Sequence, residues 1–231
     1  MAQSGGAFLP GDPMTVTGGF TSSGTTTLSG ATTISGATSF TGTTSFTGTP
    51  TNSANAGTAS TSVTAVETGV GPFHQTVLTV TALAIAVSDA NVGGGAKLYT
   101  FPEGNIAILG ATCSVAETTT STIASTLKAS KTLSVGVGSV QTTTQGSGTL
   151  VTTQQDVVNA FSATSSATIN VAGAAATGKQ LGTTVIRLDG TTTAQPIWLN
   201  CGVPTATDID ADATTTWSGT VTITWVWNGD Y

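Results

Sequence analysis

Basic residues are scarce in this chain. Lys97, Lys128, Lys131, Lys179 and Arg187 are the full set, they are scattered, and the formal net charge is -6. Clustered cations are needed to neutralise phosphates, so nucleic acid is not an expected partner. Charged residues of both signs reach only 7%, against roughly 25% in ordinary soluble domains. Long apolar runs are missing too. The stretch VLTVTALAIAV at 77–87 falls well short of the ~20 residues of a membrane helix, so no membrane span is expected. The N-terminal MAQSGGAFLPGDPM has neither a basic start nor a long apolar segment. A secretory leader is therefore not expected, and synthesis in a cytoplasm is. Histidine occurs once, at His74, and cysteine twice, at Cys113 and Cys201. That supply builds no disulfide framework and serves a zinc site poorly. Buried, reduced thiols are the expectation, with a single bridge as the alternative.

What the chain has instead is threonine, serine, 29 glycines and 38% hydrophobic residues. Such a surface stays wet through hydroxyls instead of charges. Between residues 16 and 50 these residues fall into a six-residue period. Val16, Leu28, Ile34, Phe40 and Phe46 each stand two places before a glycine, and Ser22 takes the same place in the second unit. The glycines are Gly18, Gly24, Gly30, Gly36, Gly42 and Gly48, and Pro50 closes the run. Six is not a helical period: residues six apart lie about 240° out of phase on an α-helix. On an extended strand an even spacing keeps every anchor on one side. Glycine then supplies a corner or a place of close backbone approach.

One copy of such a ribbon buries one large side chain per hexad. That cannot offset a backbone entropy cost of ~1–2 kcal/mol per residue. Three identical chains can close the row of anchors on a common axis. The pattern therefore predicts a β-helix-like stalk in a parallel homotrimer. The alternative is a flexible Ser/Thr/Gly linker, which ordinarily lacks phased Leu, Ile and Phe.

Residues 51–72 lose the period and read as a connector, with Gly71-Pro72 marking its end. From 73 to 231, apolar runs of strand length alternate with turn signals such as Gly93-Gly94-Gly95, Asp189-Gly190 and Asn228-Gly229. In GTVTITWVW, Val221, Ile223, Trp225 and Trp227 form one face of a half-buried strand. A single helix is expected, over TLVTTQQDVVNAF at 149–161, capped by Thr152 or Thr153. The fold class expected is all-β: the hexad stalk followed by an antiparallel jelly-roll-type β-sandwich.

Chemistry is thinly supplied. His74 has no nucleophile-elbow serine in the sequence to serve, and reads as a structural residue. Asp208, Asp210 and Asp212 alternate and are weak metal candidates. Ala213 and Gly219 stand where a calcium loop wants Gly and Glu, so a solvated acidic loop is preferred. Glu67, Asp89, Glu103, Glu117, Asp156 and Asp189 show no pairing by spacing. Two carboxylates suffice for a glycosidase, so the acids alone leave a depolymerase open. Trp225 and Trp227 read as core or subunit interface, while Trp217, beside a loop, is the tryptophan expected to be exposed. No catalytic residue and no cofactor is assigned.

The tail VIRLDGTTTAQPIWLNCGVP … GTVTITWVWNGDY resembles the C-terminal end of small virion proteins of tailed bacteriophages. The hexads at 16–50 resemble the fibrous trimeric segments of phage head fibres, tail fibres and spikes. The resemblance implies a non-enzymatic trimer on the capsid exterior, decorating or cementing the shell, with the major capsid protein as partner. Residues 1–15, with Phe8, Leu9, Pro10 and Pro13, are the candidate capsid contact. The alternative is a receptor-binding fibre or spike that attaches to a host-surface glycan.

Overall fold

The computed structural model describes residues 56–87, 92–118, 132–142, 148–164, 176–179, 185–203 and 213–230. All belong to the unit Phe46–Tyr231. The anchor arm 1–15, the hexad repeat 16–50 with its anchors and glycines, and Asp208, Asp210 and Asp212 lie outside the described residues.

Eleven strands and one short 3-10 turn make up the described chain. The strands are β1 (Thr58–Ala59), β2 (Val63–Val70), β3 (Phe73–Val87), β4 (Gly93–Thr100), β5 (Gly104–Thr118), β6 (Thr132–Gly138), β7 (Val158–Thr164), β8 (Ala176–Lys179), β9 (Ile186–Gly190), β10 (Pro196–Gly202) and β11 (Ala213–Trp227). They form two antiparallel sheets, as in a β-sandwich. One runs β1-β4-β10-β6-β7; the other runs β2-β3-β11-β5-β8, with β9 also paired to β5. From β3 to β6, consecutive strands alternate between the sheets, and they do so again from β9 to β11. Among the described residues of 73–231 the all-β expectation stands. β1 and β2 fall inside the 51–72 stretch assigned to a connector. Val63 is the only fully buried residue of β2, so this end strand carries little of the alternation that marks a strand in sequence.

The long strands change phase part-way. In β3, His74, Thr76, Leu78 and Val80 face the core, and then Leu83, Ile85 and Val87 do. The switch falls at Ala82, which has φ 50° and shifts the register against Trp217 and Gly219 of β11. In β5, Ile106 and Ile108 give way to Ala111, Cys113 and Val115 across a bulge that leaves Leu109 exposed. An extra residue is what lets one strand bend and still keep its apolar set inside.

The expected helix at 149–161 does not form. Thr152–Gln154 make a single 3-10 turn, and Val158–Thr164 are strand β7 paired with β6. The β-branched pair Val157-Val158 favours extended backbone. The buried Asn200 side chain holds the turn in place, donating to the carbonyls of Gln154 (2.8 Å) and Val140 (3.0 Å) and accepting from the Thr142 amide (2.9 Å).

Candidate functional site

Apart from the Asn200 group that holds the 3-10 turn, the polar residues of the described interior collect in two places. The first lies where the edges of the two sheets meet, among β2, β3, β4 and β11. Glu67 comes from β2 and His74 from β3, on the inward faces of a hairpin whose two-residue turn is Gly71-Pro72. Gly71 has φ 61°, the positive value that the first central position of a type II′ turn uses. Glu67 Oε2 lies 3.0 Å from His74 Nδ1. Its other oxygen accepts a short hydrogen bond from the Tyr99 hydroxyl of β4. That hydroxyl in turn accepts from the Gly57 amide at 2.7 Å. A Cβ at position 57 would collide with the Thr100 carbonyl and the Tyr99 ring, so only glycine lets the backbone come this close.

Apolar and aromatic groups seal the cluster. The His74 ring stacks on Trp225 of β11, with centroids 3.9 Å apart and planes 12° from parallel. Phe101 packs edge-on against both Tyr99 and Trp225. The Trp225 indole donates to Thr76 Oγ1 at 2.8 Å. The arrangement ties one sheet to the other: a carboxylate from β2 bridges a hydroxyl of the first sheet and an imidazole of the second. It fixes the imidazole in one orientation and places the incoming backbone at Gly57 against both sheets.

The second cluster joins β5, β10 and β11. Trp217 donates its indole N–H to Thr215 Oγ1 at 2.9 Å, and Thr215 donates to the Ile85 carbonyl at 3.1 Å. Cys201 lies beside Thr215 and the buried Glu117. Burial, and then the negative charge of Glu117, push the Cys201 thiol far above its ordinary value, which the Thr215 hydrogen bond offsets only in part. Burial alone pushes Cys113 up to about 12. Both cysteines are free and buried, so the expectation of reduced interior thiols holds and the alternative bridge is not formed.

The tryptophans sort differently from their expected roles. Trp225 is core, as expected. Trp217 is fully buried, not exposed: it lies inside β11, in the same alternation as Thr215, Val221, Ile223 and Trp225 on the inner face. Trp227 leaves the inner row half-buried, its indole N–H donating to the Glu103 carbonyl at 2.8 Å. Trp198 is also half-buried.

Several acids that spacing leaves unpaired acquire partners in three dimensions. Besides Glu67, Asp156 accepts from the Ser139 amide (2.8 Å) and hydroxyl (2.6 Å). Asp189 accepts from the Thr191 hydroxyl and amide, which hold its carboxyl below the usual range. Among the described residues no three or more His, Cys, Asp or Glu side chains gather as metal ligands would.

Sequence reading treats His74 as structural but misses its partners, because Glu67 and Tyr99 reach it only through strand pairing. Comparison with protein-family models, with curated proteins and with solved structures found no match.

Proposed function

We propose that this chain is a non-enzymatic structural protein of a tailed-bacteriophage virion, which decorates or cements the capsid as a trimer. The observation that carries the reading is the strand order. Taken from β3 onward, β3-β11-β5-β8/β9 faces β4-β10-β6-β7, the order of two interlocked Greek keys in a jelly roll. Viral capsid domains are among the main users of that architecture. The interior polar clusters support a structural role, since their contacts run from one sheet to the other and knit the sandwich together. The hexad repeat supports the trimer, because its anchors need companions. A protein with few charges and buried, protonated thiols has little to titrate or oxidise on a particle that persists outside cells.

Melting purified virions with and without this protein tests the proposal. A fall in the temperature of capsid breakdown on its loss supports cementing; an unchanged temperature rejects it. A second reading has its own support. Lectin domains also use the jelly roll, and Trp198 and Trp227 are only half-buried, so their rings are open to stacking on a sugar face. Under that reading the protein is a host-attaching fibre, and the purified chain binds host-surface glycan in a way that Trp198→Ala or Trp227→Ala abolishes.

A further inference from the structure

We infer that Trp198 and Lys97 form a binding subsite for a carboxylate-bearing saccharide, on the outer face of the first sheet. The inference rests on the second reading above, of a chain that binds glycan, and names the class of sugar.

The strands of the first sheet hold a single charged residue, Lys97, and a single tryptophan, Trp198. Strand pairing sets the two directly opposite each other on β4 and β10. Side chains so paired share one face, with Cβ atoms about 5 Å apart. That face is the outer one. Ile197 and Leu199, on either side of Trp198, are fully buried, while Trp198 is half-buried and Lys97 exposed. The extra residue Leu98 at this point of β4 lets Tyr99 face the core while Lys97, two places earlier, faces out. Among the described residues Lys97 makes no ion pair, so its ammonium is open to an outside anion.

The surroundings of the indole suit a sugar ring. On its β6 side Trp198 is paired with Gly138. A Cβ at position 138 would run into the carbonyls of Thr153 and Gln154, so the 3-10 turn passes over Gly138 and stands as a wall beside Trp198. Thr153 itself is exposed. One step along the strands, the next outward row is Pro196, Thr100 and Thr58. An aromatic face takes the apolar face of a sugar. Threonine hydroxyls donate to and accept from its hydroxyls, and an ammonium takes its carboxylate.

Charge decides the class of sugar. The chain carries a net charge of -6, yet the strands of this sheet contain no Asp or Glu. Beside the 3-10 turn, Asp156 is taken up by the Ser139 amide and hydroxyl. Trp227, also half-buried, has the opposite setting. Its indole N–H is bound to the Glu103 carbonyl, and Glu103 and Asp230 are exposed acids. A carboxylate approaching Trp227 meets like charge, whereas one approaching Trp198 meets Lys97. β1 pairs with β4 only at Tyr99 and Thr100, so Lys97 lies past the end of β1. A lysine at such an edge also blunts unwanted pairing, but that role asks for no aromatic beside it and predicts no ligand.

The test is calorimetric titration of the full chain with three probes: an oligosaccharide bearing glucuronic acid, the same oligosaccharide with its carboxyls methyl-esterified, and a neutral glucose oligomer. Near-ultraviolet circular dichroism reports the fold of each variant. Wild type should bind the acid form at least ~10-fold more tightly than the ester, and that margin should shrink as salt is raised. Lys97→Ala should bind acid and ester alike, and Trp198→Ala should bind neither. Arg187→Ala, which removes an exposed cation from the other sheet, should behave as wild type. Equal binding of acid and ester by wild type, lost in Trp198→Ala, would overturn the acidic class and leave the glycan reading standing. Equal weakening of acid binding by Lys97→Ala and Arg187→Ala would assign the preference to overall charge and overturn the subsite. Binding of none of the three probes would remove the subsite and the glycan reading together. Should Trp198→Ala damage the fold, the exposed Lys97 decides alone: an undiminished preference for the acid form in Lys97→Ala sinks the idea.

Discussion

Glu67 couples polar groups of the two sheets through a single carboxylate. It links Tyr99 in one sheet to His74 in the other, and the Tyr99 hydroxyl also takes the Gly57 amide. Glu67→Ala leaves a buried hydroxyl without its acceptor, at roughly 1–3 kcal/mol for each orphaned group. Glu67→Gln keeps an acceptor oxygen in the same place. Urea midpoints should therefore fall in the order wild type, Glu67→Gln, Glu67→Ala. The thiols give a pH prediction. Cys113 and Cys201 are both held protonated in the folded state above their ordinary value near 9. Above about pH 9 the unfolded chain releases these protons and the folded chain keeps them, so the unfolded state gains. Stability should fall by about 1.4 kcal/mol per pH unit per thiol, and Cys113→Ala should roughly halve the slope of urea stability against pH. At pH 8 a thiol reagent should label neither cysteine until denaturant is added. His74 as a structural residue and the buried thiols were legible from scarcity alone. The Glu67 contact was not, because a partner seven residues away becomes a neighbour only once a hairpin turns between them.

The strands show where alternation serves as a guide and where it fails. GTVTITWVW reads correctly as a half-buried strand through Trp225, since burial on one face imposes a period of two. In β3 the same rule breaks at Ala82, where the phase slips by one. Reading through the slip without resetting turns Leu83, Ile85 and Val87 outward, although all three are buried. Ala82 itself adopts φ 50° while exposed, its amide bonded to Ser218 Oγ at 3.0 Å. A left-handed conformation costs an L-residue roughly 1–2 kcal/mol, so Ala82→Gly should be neutral to stabilising by up to ~1 kcal/mol in thermal unfolding. Ala82→Val should destabilise. Deleting Ala82 takes out the extra residue, so Val80 and Leu83 then fall in one unbroken alternation, and β3 should lose its bend without turning its apolar set outward. The missed helix has a related cause. TTQQDVVNAF carries a helical spacing of apolar residues, but Asn200, 46 positions from Gln154, claims the Gln154 carbonyl and β6 claims Val158 onward. Asn200→Ala should loosen residues 140–142 and 151–155, seen as faster amide exchange there.

For the molecule as a whole, composition and strand count conveyed the sandwich, while the order of its strands came only from pairings far apart in sequence. That order places β11 in the middle of its sheet, between β3 and β5, with residues 213–227 touching strands that begin at 73 and 104. A ribosome making this chain holds β3 and β5 exposed until β11 has cleared the exit tunnel. Folding of this sheet thus waits until β11 has been made, and is slowed by the long loops that must shut. Nascent chains arrested before residue 213 should be held by chaperones or digested, and a dense polysome should be the place where this protein is most in danger of clumping.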